Sequence, residues 1–329
     1  MPRETMTPRE RWLAVLRHET PDRVPMDIWM TPEARAKLLR HLGTDSELEA
    51  VRRLHIDRPF TVAPRYVGPP IPADEDVFGV HYIDIPYGSG SYREADSRPL
   101  AAFSSVEEIE ANYRWPDPDW WDYSGLAEQI APYAEYPIQG GGSEPFLIYK
   151  YLRGQELAFC DLVLNPEIVH YCLDHLFELA YQNTLRIYEA IPDQVMISYI
   201  AEDMGSQEGL MFSPAQINEF LVPRMKRMID LAHGAGAYAF YHSDGAIRKI
   251  LPDMIAAGID VLNPIQWRCA GMEREALKRD FGAQVVFHGG VDNQYTLAFG
   301  TVEEVRQEVI DDLAILGAGG GYILAPCHN

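Results

Sequence analysis

From Tyr136 onward, short apolar runs alternate with longer stretches of helical periodicity, and nothing else in the chain constrains its fold as tightly. The apolar runs are 137–142, 194–201, 237–241, 260–264, 284–287 and 322–325. Between them lie a long helical region, 144–190, with breaks near Gly154 and Pro166, and helical stretches at 213–235, 246–257, 272–281 and 301–316. A capping box at Ser213-Pro-Ala-Gln216 and a cap at Thr301-Val-Glu-Glu304 mark two of the helix starts. Short apolar strands separated by amphipathic helices predict a parallel sheet buried on both faces.

The N-terminal part supplies the rest of the pattern. Thr7-Pro-Arg-Glu10 caps a first helix through Leu16, and Thr31-Pro-Glu33 caps another that ends at Gly43. A strand is predicted over 24–30 and a weaker one over 59–63. With the six later runs this makes eight strands, so the expected fold class is α/β, a (β/α)8 TIM barrel with an N-terminal helix. A doubly wound open sheet is the alternative, but no GxGxxG follows the first strand. Residues 64–135 are rich in Pro, Gly, Tyr and Asp and break the alternation. They read as an inserted hairpin (80–85 with 91–95) and irregular segment, a rim or lid on one domain spanning 1–329.

The chain of 329 residues suits a barrel of about 250 residues plus such an insertion. Its 28 Lys and Arg against 49 Asp and Glu leave a net charge of −21, which excludes the basic face a nucleic-acid binder needs. It also excludes a polybasic membrane anchor. The N-terminus has no apolar signal core and no run is long enough to span a bilayer. The four cysteines are dispersed without a CxxC pair, so a reducing, cytoplasmic setting is expected. A barrel ordinarily closes with a helix after its last strand, and Asn329 follows that strand almost at once.

In a TIM barrel the chemistry sits at the C-terminal strand ends. Those positions read Gln139-Gly-Gly-Gly-Ser143, Glu202-Asp203, His242-Ser-Asp-Gly245, Gln266, His288-Gly-Gly-Val-Asp292 and Cys327-His-Asn329. Each has a plain structural reading: Asp244 as the cap of the next helix, the glycines as close packing, Cys327 as a small buried apolar group. Together they place a carboxylate, imidazole, thiol or amide at most strand exits. His242, Asp244 and Cys327 or His328, with Glu202 in reserve, offer the three ligands and open position of catalytic zinc.

Several of these stretches carry a resemblance. Arg11-Trp-Leu-Ala-Val-Leu-Arg-His-Glu-Thr-Pro-Asp-Arg-Val-Pro25, Ser213-Pro214, His242-Ser-Asp-Gly245, Phe287-His-Gly-Gly290 and Gly320-Gly-Tyr-Ile-Leu-Ala-Pro-Cys-His328 resemble uroporphyrinogen decarboxylase family proteins. The resemblance implies a TIM barrel and one of two chemistries. True decarboxylases of the family carry an Arg-rich loop after the first strand, where this chain reads Met26-Asp-Ile-Trp-Met-Thr-Pro-Glu-Ala-Arg35. That departure, in so acidic a chain, disfavours an octaanionic tetrapyrrole. The family's zinc-dependent methyltransferases work with corrinoid proteins and carry a His-x-Cys where His242-x-Asp244 stands.

The resemblance therefore implies a zinc-dependent methyltransferase moving a methyl group between a small methylated substrate or thiol and a corrinoid protein. The alternatives are a cofactor-free decarboxylase (a lyase) of a pyrrolic or aromatic acid and a non-catalytic corrinoid or tetrapyrrole binder. The catalytic residues expected are Asp203, His288 and His328, with Gln139, Ser143, Gln266 and Arg35 against the substrate. Decarboxylation would need a cation from Arg35, Arg65 or Arg268. A binder would need an apolar pocket built from Trp120, Trp121 and Tyr123. A homodimer is the assembly expected.

Overall fold

The computed structural model describes residues 4–88 and 90–329. Met1 to Arg3, part of the N-terminal stretch read for a signal core, and Ser89 in the hairpin turn lie outside the described residues.

Seven strands make one sheet: β1 (Phe60–Val62), β2 (Ile138–Ser143), β3 (Ile197–Ala201), β4 (Tyr238–His242), β5 (Val261–Asn263), β6 (Val286–Val291) and β7 (Tyr322–Pro326). All pair in parallel, and their order in the sheet is their order in the chain. The weak run expected at 59–63 is thus a true strand.

The strand expected over 24–30 is instead a single parallel bridge, Met26 to Leu324. Pro25 has no N–H to give a ladder. Carboxylates take two of the next donors: Met26 N–H goes to Asp57 Oδ2 (2.9 Å) and Ile28 N–H to Asp27 Oδ1 (2.7 Å). The segment still occupies the eighth position. Asp27 N–H donates to Leu324 O (2.8 Å), Leu324 N–H to Pro25 O (3.0 Å), and Asp57 N–H to Met26 O (2.7 Å), so it links the last strand to the chain entering the first. The result is a curled, TIM-barrel-like sheet.

The first helix (Pro8–Leu16) has the predicted Thr7 cap, completed into a capping box by Glu10. Its Trp12, Val15 and Leu16 bury against Met196, Ile197, Phe240, Val261, Val286 and Ile323. These residues lie before or within the first halves of the strands, so the helix stoppers the N-terminal end of the barrel and leaves the other end open. Arg11, fully buried, ties this plug down through Asp22 (2.7 Å) and Asp57 (2.5 Å).

The long helical region breaks where expected, into Pro145–Arg153, Gln155–Leu164 and Pro166–Ala190. The helix expected at 246–257 is shorter, Leu251–Ala257, with no side-chain cap. The hairpin forms between Tyr82–Pro86 and Ser91–Ala95. The stretch read as irregular also holds a helix, Val106–Asn112, and its Val80, Leu100 and Ile109 are fully buried in the main core with Phe146 and Tyr149. A helix at Glu47–Arg53 was not foreseen either. Among the described residues no helix is long and apolar enough to cross a membrane.

Candidate metal centre at the strand ends

The loop after β4 is shaped by close backbone approach. Gly245 has φ of +86°, and a Cβ there would lie 2.5 Å from the Gly205 backbone. Its N–H donates to Gln266 Oε1 (2.6 Å), and Asp244 N–H donates to Asp203 Oδ1 (3.0 Å). Both bonds turn the Asp244 carboxylate inward. Asp244 does not cap a helix, because residues 245–250 are bend, irregular chain and turn, and the next helix starts at Leu251.

His242 ends β4 and is 4 % exposed. Its Nε2 lies 3.7 Å from Asp203 Oδ1 and 4.0 Å from Asp244 Oδ1, and His328 Nε2 lies 3.9 Å from Asp244 Oδ2. One potential ligand atom from each of His242, Asp244 and His328 falls within 4.8 Å of the other two, the one such group of three among the described residues. Asp244 Oδ1 is buried and accepts no hydrogen bond. An orphaned carboxylate oxygen between two imidazoles is costly unless a cation completes it. Two nitrogens and one oxygen around an open position form a donor set that fits a divalent transition metal such as zinc. Burial raises the Asp244 carboxyl above its ordinary range, and Asp203 adds to this, while His242 and His328 oppose it.

The structure separates the other proposed ligands from this group. Cys327 is buried, burial pushes its thiol far up, and its Sγ donates to Ile265 O (3.2 Å) and falls outside the group of three. His328, one residue on, takes the place. The Glu202 carboxylate points the other way and accepts the Phe146 N–H (2.9 Å) at the start of helix Pro145–Arg153. Burial raises its pKa well above the ordinary value.

His288 is fully buried and cannot touch a substrate in the cavity, contrary to the catalytic role expected for it. Its Nδ1 meets Asn263 Nδ2 (2.7 Å), its Nε2 meets Asp27 Oδ2 (3.0 Å), and Asn263 Oδ1 meets His242 Nδ1 (2.6 Å). Burial is the largest influence on the Asp27 carboxyl and disfavours its charged form, but the His288 hydrogen bond and charge, the Arg58 charge and the Ile28 N–H together outweigh it and hold the pKa below the ordinary value. Trp29 Nε1 also donates to Asp27 Oδ2 (3.0 Å), and the Trp29 ring stacks on His242 at 5.9 Å.

A cavity of about 380 Å³ opens over this group, lined by His242, His328, Trp29, Gln139, Arg35 and Arg58 among others. Gln139 and Arg35 are therefore where substrate contact was expected. Ser143 is instead a buried hydroxyl without a partner, and Gln266 is a pin for the Gly245 loop. Arg65 and Arg268 are held by Asp122 and Asp292, both at 2.7 Å. Trp120 and Trp121 pack edge-on to Tyr66, and Tyr123 donates to Asn183, so they build no apolar pocket here.

Sequence reasoning missed Asp27, Trp29, Arg58, Asn263 and Glu144. Asn263 and Glu144 stood one step from residues that were read: Asn263 ends β5, and Glu144 follows Ser143 directly. Glu144 titrates at about 7, raised by burial and then by the charges of Asp203 and Asp244. The signal for Asp27 lay only in the depletion of carboxylates from strands.

Among known proteins, residues 124–329 match the family described as Uroporphyrinogen decarboxylase (URO-D). No curated protein matches the chain. Of solved structures, a methyltransferase from Methanosarcina mazei is 17 % identical with a TM-score of 0.66, the match covering 98 % of this chain and 94 % of that one. Identity that low speaks for a shared fold alone. The native xylanase 10B from Thermotoga maritima, 13 % identical over 70 % of this chain and 80 % of that one, reaches a TM-score of only 0.37.

Proposed function

The chain belongs to the uroporphyrinogen decarboxylase family, and from that premise we propose that it is a zinc-dependent methyltransferase whose partner is a corrinoid protein. The observation that carries the reading is the convergence of His242, Asp244 and His328 around an Asp244 oxygen that nothing else satisfies. These three residues would hold the zinc. Bound there, zinc supplies Lewis acidity, which lowers the pKa of a thiol or polarises a methoxy or amine donor.

The chain's own residues do the rest. Trp29 lies over His242 and shields it from water. Arg35, Arg58 and Gln139 line the cavity and orient the far end of a small substrate. Glu144, with a carboxyl poised at about 7, can hold or release a proton beside Asp203. Methyl transfer to the partner's cobalt needs an exposed mouth, and His328, 43 % exposed, lies on that side.

The test is metal content followed by turnover. Purified protein is expected to bind one equivalent of zinc and to move a methyl group from a methoxylated or methylamine donor to a corrinoid acceptor, or from methylated corrinoid to a thiol. Absence of zinc binding, or zinc binding untouched by His242→Ala and His328→Ala, sinks the reading.

One observation favours a second reading, decarboxylation of a small aromatic or pyrrolic acid. Arg35 and Arg58, both paired with the single carboxylate of Glu47, line the cavity together with the His328 imidazole, and would supply the cations and the proton donor such a carboxylate needs. Release of carbon dioxide by metal-free protein, abolished in His328→Ala, would favour it over methyl transfer.

A further inference from the structure

We propose that Asp27, His288 and Asn263 form a directional hydrogen-bond relay that fixes the tautomer of His242, so that its Nε2 lone pair, and not an N–H, faces Asp203 and Asp244. The three are positioning residues: Asn263 and His288 lie outside the cavity lining, and Asp27, which is part of that lining, acts through His288.

The direction follows from counting protons. Asp27 is an anchor that can only accept while ionised, and it accepts from Trp29 Nε1, Ile28 N and His288 Nε2. That last bond puts the single proton of a neutral His288 on Nε2, leaving Nδ1 as an acceptor. Asn263 Nδ2 therefore donates to it at 2.7 Å. The Asn263 amide then presents its oxygen on the other side, where only a donor is useful, and His242 Nδ1–H supplies one at 2.6 Å. With its proton committed to Nδ1, neutral His242 keeps a free pair on Nε2. All three links lie between 2.6 and 3.0 Å, and His242, Asn263 and His288 are each less than 5 % exposed.

The reverse direction fits worse. It requires Asn263 to turn its amide over, His288 to carry protons on both nitrogens while fully buried, and His242 to hold its proton on Nε2. That proton would face carboxylates at 3.7 and 4.0 Å, beyond hydrogen-bond reach. A carboxylate or carbonyl behind the far nitrogen of a ligating imidazole is the usual device for orienting it. Here the carboxylate acts through two intermediaries, from a segment that closes the barrel seam.

The experiment reads tautomers directly, in metal-free full-length protein, by long-range proton–nitrogen correlation of the 15N-labelled imidazoles near neutral pH. Expected are a protonated Nδ1 and bare Nε2 on His242, with the proton of His288 on Nε2. A protonated Nε2 on His242, or a doubly protonated His288, overturns the relay. Asp27→Asn is expected to let His242 populate both tautomers and to weaken zinc binding about 10- to 100-fold, measured by chelator competition. An unchanged tautomer in that variant also overturns it. His288→Gln, whose amide can accept from Asn263 and donate to Asp27, is expected to keep the His242 tautomer, and His288→Leu to lose it. If both scramble it equally, direction plays no part and the relay fails. Only the affinity measurement rests on the zinc reading. Correct tautomers without zinc binding would leave the relay standing and remove the proposed metal.

Discussion

Asp244 and His328 meet at the open end of the barrel, Oδ2 to Nε2 at 3.9 Å, although β5 and β6 separate the strands that deliver them. The contact brings a partly exposed carboxylate within reach of a second imidazole without giving its buried oxygen, Oδ1, a hydrogen-bond partner. Asp244→Asn should therefore have effects of opposite sign. Metal-free protein should gain up to about 1 kcal/mol, because a partly buried carboxylate whose charge is disfavoured by burial and by Asp203 is made neutral. Zinc affinity should fall at least about tenfold, because a ligand is lost. Thermal melts with and without added zinc check both: the wild-type melting temperature should rise with zinc and the variant's should not.

Glu144 supplies a pH dependence. Its carboxyl is ordinary in the unfolded chain, near 4.5, and titrates at about 7 when folded, because burial first and the charges of Asp203 and Asp244 second disfavour the anion. Between those values the folded state binds the extra proton, so stability falls as pH rises from about 4.5 to 7. Glu144→Gln should remove the Glu144 share of that slope and make metal-free protein more stable than wild type at pH 8 by about 2 kcal/mol, after allowance for partial exposure. Denaturant midpoints across this range measure it, and equal slopes in the two proteins would refute the assignment.

Asp57 holds the segment that carries Asp27 and Trp29. Its fully buried carboxylate accepts from Arg11 (2.5 Å), Arg23 (2.6 Å) and Met26 N–H (2.9 Å). Asp57→Ala leaves Arg11 buried with one partner fewer and should cost about 3–5 kcal/mol in equilibrium unfolding. The same variant should lower zinc affinity, since the seam that positions the relay loosens with it. An exposed pair such as Lys226–Asp230 should cost under about 1 kcal/mol when broken and serves as the control.

Gly142 is irreplaceable for steric reasons. Its φ is +129°, and a Cβ would sit 1.9 Å from the Tyr199 carbonyl oxygen, at the point where the pairing of β2 with β3 shifts register. Gly142→Ala should cost about 3 kcal/mol or more and reduce soluble yield. Gly125→Ala, where nothing lies within 4 Å, should be close to neutral.

Much of the barrel was legible from local chemistry. The caps at Thr7, Ser213 and Thr301 stand where they were read, and the breaks at Gly154 and before Pro166 divide the long helical region as expected. These features are set by neighbours within a few residues, so periodicity and capping report them. The strand at 24–30 failed because Asp57, remote in sequence, takes the Met26 donor, and no local pattern reveals that. The helix Val106–Asn112 was hidden within a Pro- and Gly-rich context, although Ser105 is an ordinary N-cap.

The candidate site divides in the same way. Sequence alone determined which strand ends carry chemistry and put His242, Asp244 and His328 among the candidates, because side chains at those ends share one rim in this architecture. Only the tertiary structure chose His328 over Cys327, turned Glu202 toward a helix N-terminus and His288 into the interior, and joined Asp27 to His242 through Asn263. The physical reason is that each choice depends on the direction of a side chain. That direction is decided by partners distant in sequence: Ile265 for Cys327, Phe146 for Glu202, and Asp27 and Asn263 for His288.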